Sequence, residues 1–425
     1  MQDPGIRLFV GVDWATEAHQ VCLLDPGGKT VEERSVVHSG TGLGELVECL
    51  LFWAGGGPNS VAVAIEVPHG AVVDTLLEHG FQVYSLNPKQ LDRFRDRFTV
   101  AGAKDDRRDA FVLADSLRTD MRCFRRLIIS APEIIELREW SRMAEELQQE
   151  HVRLTNRVRE QLRRYFPQAL ELTQDAGSPW FLALWAEVPT PAAALEVKPA
   201  HVARILKEHR IRKVTAEGAL EVLRQKPVTV APGTVEAATA HIRLVADRLR
   251  VVNKQLKECY QRLDKLTELI AGKTGSAEPG QDGEQSDAAI LRSLPGVGRI
   301  VLATLLSEAA QPIAERDYQT LRALSGVAPV TKQSGKRRSV IMRTGCHLRL
   351  RGAMYHWSRV AVQTDPFCRA SYSRLRKTGK THGRALRGVA DQLLRVVIAM
   401  LRDRSLYDAG RRQPKPPTEP RAAAG

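Results

Sequence analysis

The sequence predicts an α/β layer domain, then a long helical hairpin, then a mainly α-helical basic domain. Three observations carry that reading. Apolar strand-like runs alternate with helical segments over residues 1–128. Apolar residues recur at strict four- and three-residue steps from Ile242 to Ile270. Two stretches near the end of the chain carry many cations and no acid.

Taken in order, residues Arg7 to Val37 read as strands, with Leu8-Phe9-Val10-Gly11-Val12-Asp13 an apolar run ending on a carboxylate and Pro26-Gly27-Gly28-Lys29 a turn. A helix around Leu43 to Trp53 stops at Gly55-Gly56-Gly57-Pro58. Val61-Ala62-Val63-Ala64-Ile65-Glu66 is a second buried-type strand, again closed by a carboxylate. Val72 to Glu78 reads as a helix, Gln82 to Leu86 as a strand and Pro88 to Phe98 as a basic helix. Lys104-Asp105-Asp106-Arg107-Arg108-Asp109-Ala110 leads into an amphipathic helix on which Asp106 and Asp109 share a face.

Each of these acids has an ordinary reading. A lone Asp at a strand end is commonly a turn or cap residue, and the helical pair could be salt-bridged to Arg107 and Arg108. Converging as a set, Asp13, Glu66, Asp106 and Asp109 would repel one another unless cations lay among them. Hard divalent ions suit such oxygen donors, and two of them can clamp both oxygens of a phosphodiester exchange.

From Glu133 the pattern becomes helical. Trp140, Ala144, Leu147, His151, Leu154, Val158, Gln161 and Tyr165 form one seam. Ile242, Val245, Leu249, Val252, Leu256, Cys259, Leu263, Leu266 and Ile270 form a stricter one, predicting a coiled-coil helix. The first helix could partner the second, within one chain or across a dimer, and His151 is read as a tolerated seam residue. Residues 179–232, punctuated by Pro189, Pro191, Pro199 and Pro227, form a small helical module at the hairpin tip. These elements make up a domain over 129–273, followed by a flexible linker over 274–287. Gly272-Lys273-Thr274 is no phosphate-binding loop, because no strand precedes it.

The last folded domain spans 288–408. Leu294-Pro295-Gly296-Val297-Gly298 precedes a helix from Ile300 to Ala309, a pattern shared by helix-hairpin-helix DNA binders; Gly296 and Gly298 would present backbone N–H groups to a phosphate, or serve only a tight turn. Lys332-Gln333-Ser334-Gly335-Lys336-Arg337-Arg338 follows. Thr331 to Arg351 holds seven Lys/Arg and no acid, and so does Pro366 to Arg387; together they match the formal +14 of the chain. Lys332, Lys336, Arg337, Arg338, Arg343, Arg374, Arg376, Lys377 and Lys380 are the candidate nucleic-acid contacts, against the plainer reading of a solvated face with a loop serine. Helices are read over Leu348 to Val362 and Val389 to Leu401, with a disordered basic tail over 409–425.

Composition limits the rest. A pI near 9.7 points to a polyanionic partner. The 43% apolar content describes a soluble globular chain with no run approaching a membrane span, and Met1 to Gly5 shows no signal peptide. The six scattered cysteines lack a Cys-x-x-Cys pair, which argues against zinc ribbons and disulfide frameworks and favours a reducing cytoplasm.

Gly11-Val12-Asp13-Trp14-Ala15, Ala64-Ile65-Glu66, Asn87-Pro88 and Lys104-x-Asp106-x-x-Asp109-Ala110 resemble the N-terminal domain of the DEDD transposases of bacterial insertion sequences. Leu294-Pro295-Gly296-Val297-Gly298, Gly326-Val327-Ala328-Pro329 and Gln333-Ser334-Gly335 resemble the C-terminal domain of the same family, so the likeness covers residues 7–408. It implies a RuvC-like (RNase H-like) nuclease domain joined to a serine-bearing helical domain. It further implies two Mg2+ ions on Asp13, Glu66, Asp106 and Asp109, and Ser334 as a nucleophile forming a covalent phosphoserine with DNA. In this family the carboxylates of one subunit meet the serine of another. Implied partners are donor and target double-stranded DNA, an element-encoded "bridge" guide RNA, and further copies of the chain, as a dimer or a DNA-bound tetramer; the implied location is the bacterial cytoplasm, at the nucleoid. Asp105 stands where the family often has Thr or Ser, which leaves it an alternative to Asp106, and Val67-Pro68-His69 replaces the commoner Thr-Gly. Two other readings compete: a RuvC-type structure-specific endonuclease with no use for Ser334, and a non-enzymatic nucleic-acid scaffold.

Overall fold

The computed structural model describes residues 5–55, 57–86, 88–98, 105–128, 131–273, 285–335 and 337–410. The chain divides into two compact units, Met1–Ala131 and Pro132–Gly425.

The first unit is a mixed α/β sheet domain of RNase H-like topology. Strands β1 (Leu8–Asp13), β2 (Ala18–Leu24) and β3 (Thr30–Val37) form an antiparallel meander. Then come α1 (Gly40–Trp53), β4 (Val61–Ile65), α2 (Ala71–Glu78), β5 (Gln82–Ser85), α3 (Pro88–Arg95), α4 (Asp106–Asp120) and a two-residue β6 (Arg125–Arg126). The sheet order is β3-β2-β1-β4-β5-β6, with β1, β4 and β5 parallel. Both faces of the central strands are covered, which is why β1 and β4 are continuously apolar rather than alternating. Leu8, Val10 and Val12 join a core with α1 and α2, while Phe9 joins Ala110, Leu113 and Leu117 of α4 on the other face. Gly11 lets α4 approach on that second face: a Cβ there would lie 1.9 Å from the Ala110 carbonyl oxygen. The basic helix read as Pro88 to Phe98 ends earlier, at Arg95. The short edge strand β6 has no signal in the sequence.

The second unit is mostly helical. Helices α5 (Pro132–Tyr165) and α10 (Thr234–Lys273) pack along one another. Between them lie α6 (Pro179–Glu187), α7 (Pro191–Glu196), α8 (Pro199–Glu208) and α9 (Ala216–Leu223). Pro179, Pro191 and Pro199 open α6, α7 and α8 at the first helical turn, where a missing N–H costs nothing. Every position of the second seam from Ile242 to Leu266 is buried, against Leu154, Val158 and Leu162 near the tip and Leu137 and Ala144 lower down. Arg262 to Glu136 (2.6 Å), Tyr260 to Gln148 (3.2 Å) and Arg248 to Glu150 (3.0 Å) bridge the two helices in antiparallel sense. The pairing left open by the sequence is therefore intramolecular.

Helix α11 (Asp287–Arg292) starts inside the stretch read as linker, capped by Ser286; residues 274–284, like 411–425 of the basic tail, lie outside the described residues. Then follow α12 (Arg299–Glu308), α13 (Ala310–Ala314), α14 (Tyr318–Leu324), a hairpin of β7 (Val330–Ser334) and β8 (Arg337–Ile341), α15 (Leu348–Thr364), α16 (Pro366–Lys377) and α17 (His382–Arg402). Trp357 of α15, fully buried, donates to the Pro295 carbonyl at 2.9 Å. Glu308 ties α12 to α5 and α15, buried among Arg142 (3.2 Å), Arg349 (2.5 Å) and Arg138 (3.9 Å). Burial opposes its charge, but Arg142, His347 and Arg349 outweigh that and hold its carboxyl below its ordinary value.

Two predictions follow from this packing. Gly11→Ala forces α4 off β1 and should destabilise the chain by about 1–3 kcal/mol, whereas Gly44→Ala, in the open on α1, should be neutral or stabilising; thermal denaturation distinguishes them. Because the folded carboxyl of Glu308 titrates lower than the unfolded one, its contribution is whole above the ordinary value of 4.5 and is lost as pH falls through the depressed value. Glu308→Gln should cost about 3 kcal/mol near neutrality and flatten the acid limb of a urea-denaturation series over pH.

Candidate functional site

Strands β1 and β4 run parallel, with Val12 opposite Ile65, so Asp13 and Glu66 leave neighbouring strands at the same end. Neighbouring strands lie about 4.8 Å apart. The two-residue period puts Asp13 with Phe9 and Gly11, and Glu66 with Ala62 and Ala64, on the face that α4 covers. Asp109 sits on that face too, only 1% exposed, one residue before the carbonyl that abuts Gly11.

Asp109 is neutralised by a residue that no sequence pattern points to. Arg95, from the end of α3, grips both its oxygens at 2.6 and 2.7 Å and also reaches Asp92 at 2.6 Å. Burial works against the Arg95 charge, but the hydrogen bonds and charge of Asp109, with Asp92 and Glu66, more than offset it and raise its pKa. A guanidinium thus stands where the set of acids calls for a cation. Asp106 lies one turn before Asp109 and is exposed. Asp105 is the N-cap of α4, its side chain accepting from the Arg107 N–H at 3.2 Å, which accounts for this acid without any ligand role. Among the described residues, no three His, Cys, Asp or Glu side chains come together closely enough to hold a metal ion. The donors do fit hard divalent cations in kind. Asp13 and Glu66 emerge side by side, and a guanidinium already fills the Asp109 end as a stand-in positive charge.

In the second unit, Ser334 is the last residue of β7, paired with Arg337 and exposed, and not a loop serine. Gly335 takes the positive φ of +54° that turns the hairpin. The signal was present in the sequence: Val330-Thr331 and Val340-Ile341 flank a Ser-Gly dipeptide. Lys332 is exposed on β7, and Arg343 is half-buried with its Nε 3.4 Å from the Ala328 carbonyl. Arg374, Arg376 and Lys377 line the last turn of α16, a helix that the sequence reading left unassigned, and Lys380 follows it; all four are exposed. Lys336 lies outside the described residues, with Arg337 and Arg338 described only as strand backbone.

Charge compensation separates these cations from the rest of the unit. Arg299 is paired with Asp264, Arg316 with Asp287 and Arg322 with Asp391, each at 2.6 Å. Among the described residues, no carboxylate pairs with Lys332, Arg374, Arg376, Lys377 or Lys380. Gly296, at φ +79°, is pressed onto α15, where a Cβ would meet the Ala361 nitrogen at 2.8 Å, so packing explains that glycine. Gly298 is exposed and precedes α12. No described helix is long and apolar enough to cross a membrane.

Residues 10–167 match a family model described as "Transposase", the DEDD type of IS110, and residues 288–373 match "Transposase IS116/IS110/IS902 family". The chain is 30% identical over 423 residues to the transposase assigned to the IS117 mini-circle of Streptomyces coelicolor, covering 97% of this chain and 98% of that one. It is 27% identical over 416 residues to a protein of insertion element IS110 from the same organism, covering 95% and 96%. A Sinorhizobium fredii protein named for transposase activity is 56% identical over 209 residues, which span 49% of this chain and 58% of that protein.

The acid cluster generates its own test. Arg95→Ala leaves Asp109 buried and unpaired and should cost about 3 kcal/mol in EDTA, read by urea denaturation of the full chain. Excess Mg2+ should restore stability more in this variant than in the wild type; equal shifts in the two would show that the acids do not attract the ion.

Proposed function

The chain belongs to the IS116/IS110/IS902 family of insertion-element transposases, and on that premise we propose that it breaks and rejoins DNA through a phosphoserine ester formed on Ser334. That it is a transposase acting on DNA follows from the family; the chemistry is our reading. The observation that carries it is the position of Ser334, exposed at the closing pair of a hairpin in a unit where, among the described residues, no carboxylate pairs with exposed Lys332, Arg374, Arg376, Lys377 or Lys380.

Ser334 Oγ attacks a backbone phosphorus, one P–O bond forms, one breaks, and the departing DNA oxygen takes up a proton equivalent to the one serine gives up. A hydroxyl of the exchanged strand reverses the step, so the bond energy is conserved without a nucleotide cofactor. A serine hydroxyl is a weak nucleophile at its ordinary pKa and needs a neighbouring base, a metal or charge neutralisation at the phosphate. Lys332, Lys336, Arg337, Arg338, Arg343, Arg374, Arg376, Lys377 and Lys380 are assigned to the last of these, with the N-terminus of α12 at Gly298 as a further phosphate contact. Asp13, Glu66, Asp109 and Asp106 are assigned to hold two Mg2+ ions, which supply Lewis-acid stabilisation of phosphate oxygens when bound. Holding them requires Arg95 to release Asp109. The helix-hairpin-helix-like turn at Gly296, a guide RNA encoded by the element, and assembly as a dimer or a DNA-bound tetramer come with the same proposal and are supported by the family likeness alone.

The test is a denaturant-quenched reaction of the full chain with DNA carrying the element ends. A covalent protein–DNA species should appear, with its adduct mapped by mass spectrometry to Ser334. Ser334→Ala should remove it and lower strand exchange by at least about a thousandfold. Asp13→Asn should act likewise, leaving DNA binding intact. Full-rate cutting by the Ser334→Ala protein would instead make the chain a metal-dependent nuclease that does not use the serine.

A further inference from the structure

Behind the hairpin lies a cavity of about 370 Å³, walled by β8's end, α15 and α17. Met342, Leu348 and Tyr355 give it apolar and aromatic walls, and all three are partly exposed, at 43%, 63% and 44%. Arg351 and Arg387 supply its charge. Neither meets a carboxylate among the described residues: Arg387 Nη1 rests 3.4 Å from the Met342 sulfur, and Arg351 Nη1 lies 4.0 Å from Cys346 Sγ. Arg384 beside them donates to the Val340 carbonyl at 2.9 Å. Burial and the neighbouring Arg384 both push the Arg387 pKa down, the sign of a cation lacking a counter-charge.

We propose that this cavity receives one unstacked base of a DNA strand, its phosphate held by Arg387 and Arg351. Aromatic and apolar walls suit the faces of a base, and unpaired guanidinium groups suit the phosphate beside it; a nucleotide combines both requirements. Gly352 adds an independent argument. It lies within α15, where glycine is disfavoured, yet a Cβ there would meet nothing within 4 Å. No close backbone demands this glycine, and what a larger side chain would consume is the cavity. DNA is taken as the occupant because, on the function proposed above, this chain acts on DNA strands. The two serines of the lining, Ser358 and Ser325, are fully buried and donate to the Met354 carbonyl at 2.8 Å and the Arg322 carbonyl at 3.4 Å, so neither presents a surface to a ribose 2′-hydroxyl.

The cavity adjoins the open end of the hairpin, beyond Ile341, while Ser334 closes the other end. Four residue steps separate the Val330–Ile341 pair from the Ser334–Arg337 pair, about 13 Å at 3.3 Å per residue. That is about four base steps at 3.4 Å each. This placement, unlike the pocket itself, rests on Ser334 being the residue that attacks the strand.

The experiment uses the full chain in EDTA with single-stranded DNA containing 4-thiothymidine, so that neither metal nor Ser334 chemistry enters. Irradiation should give zero-length crosslinks in the peptides that carry Met342, Leu348 and Tyr355. Gly352→Leu, which fills the cavity with a better helix former, should abolish those crosslinks and weaken single-strand binding about tenfold, with duplex binding changed less than about twofold. Tyr355→Ala should weaken single-strand binding in the same direction. Crosslinks confined to β7, β8 and α16, or wild-type affinity in Gly352→Leu, would overturn the pocket. Crosslinking there by 4-thiouridine RNA but not by DNA would overturn its assignment to DNA. Absence of a Ser334 adduct would overturn the four-base spacing to Ser334 but not the pocket.

Discussion

Like charges gathered on one surface have to be neutralised by something, and the two units meet that requirement in opposite ways. In the first unit the acids are drawn together by the backbone: parallel β1 and β4 release Asp13 and Glu66 side by side, and the approach of α4 at Gly11 brings Asp109 to the same face. The chain supplies its own counter-charge there, through Arg95. In the second unit the paired arginines lie where helices pack, while the hairpin, the end of α16 and the cavity behind β8 hold cations that no described carboxylate meets. Self-repulsion of that kind lowers stability and is retained where a polyanion is to be bound.

The long hairpin provides the stability against which this repulsion acts. Its seam is apolar from Ile242 to Leu266 and is filled by α5 of the same chain. The tip module is fastened to it by Tyr165, which donates to the Pro189 carbonyl at 2.7 Å and accepts from Trp185 at 3.1 Å, and by Asn253, which donates to the Gly177 carbonyl at 2.9 Å. At the other end Glu308 gathers arginines from α5 and α15 around α12. Removing a partner from a buried acid is costly, so the domain carrying the hairpin of β7 and β8 is fixed to the base of the long helices.

Much of this was legible because the physics is local. Continuous apolar runs announce strands buried on both faces, and a terminal acid on each marks the edge where a site can form. A seven-residue repeat announces a packed helix. The repeat does not name its partner, since both an intramolecular and an intermolecular neighbour satisfy the same pattern; the structure had to decide that. Arg95 was illegible for a related reason. Its pairing with Asp109 spans fourteen positions and depends on how α3 is set against α4, which no periodicity encodes. Gly296 could be read as a phosphate cradle or as a packing requirement, and the distance to Ala361 favours packing. The cavity was invisible, because its lining comes from segments far apart in the chain, from Ser325 to Ala390, and includes a glycine that looks like a defect in α15.

The division of charge bears on the chemistry proposed for Ser334. A phosphodiester repels an approaching oxygen, and a hydroxyl near its ordinary pKa is a poor attacker, so the barrier falls only if the phosphate charge is spread onto cations and the oxygen is held in line. A loop would meet the first need but not the second. Ser334 instead ends a strand whose partner strand is itself tethered, through the Val340 carbonyl, to Arg384 of α17. The hydroxyl is thereby carried on a short two-stranded arm with fixed register, which also carries the exposed Lys332. Substituting those cations one at a time would weaken DNA binding in small increments, since each acts through a diffuse field. Shifting the register of the arm by one residue would turn Ser334 to the opposite face, and on the proposed chemistry would remove the attack altogether.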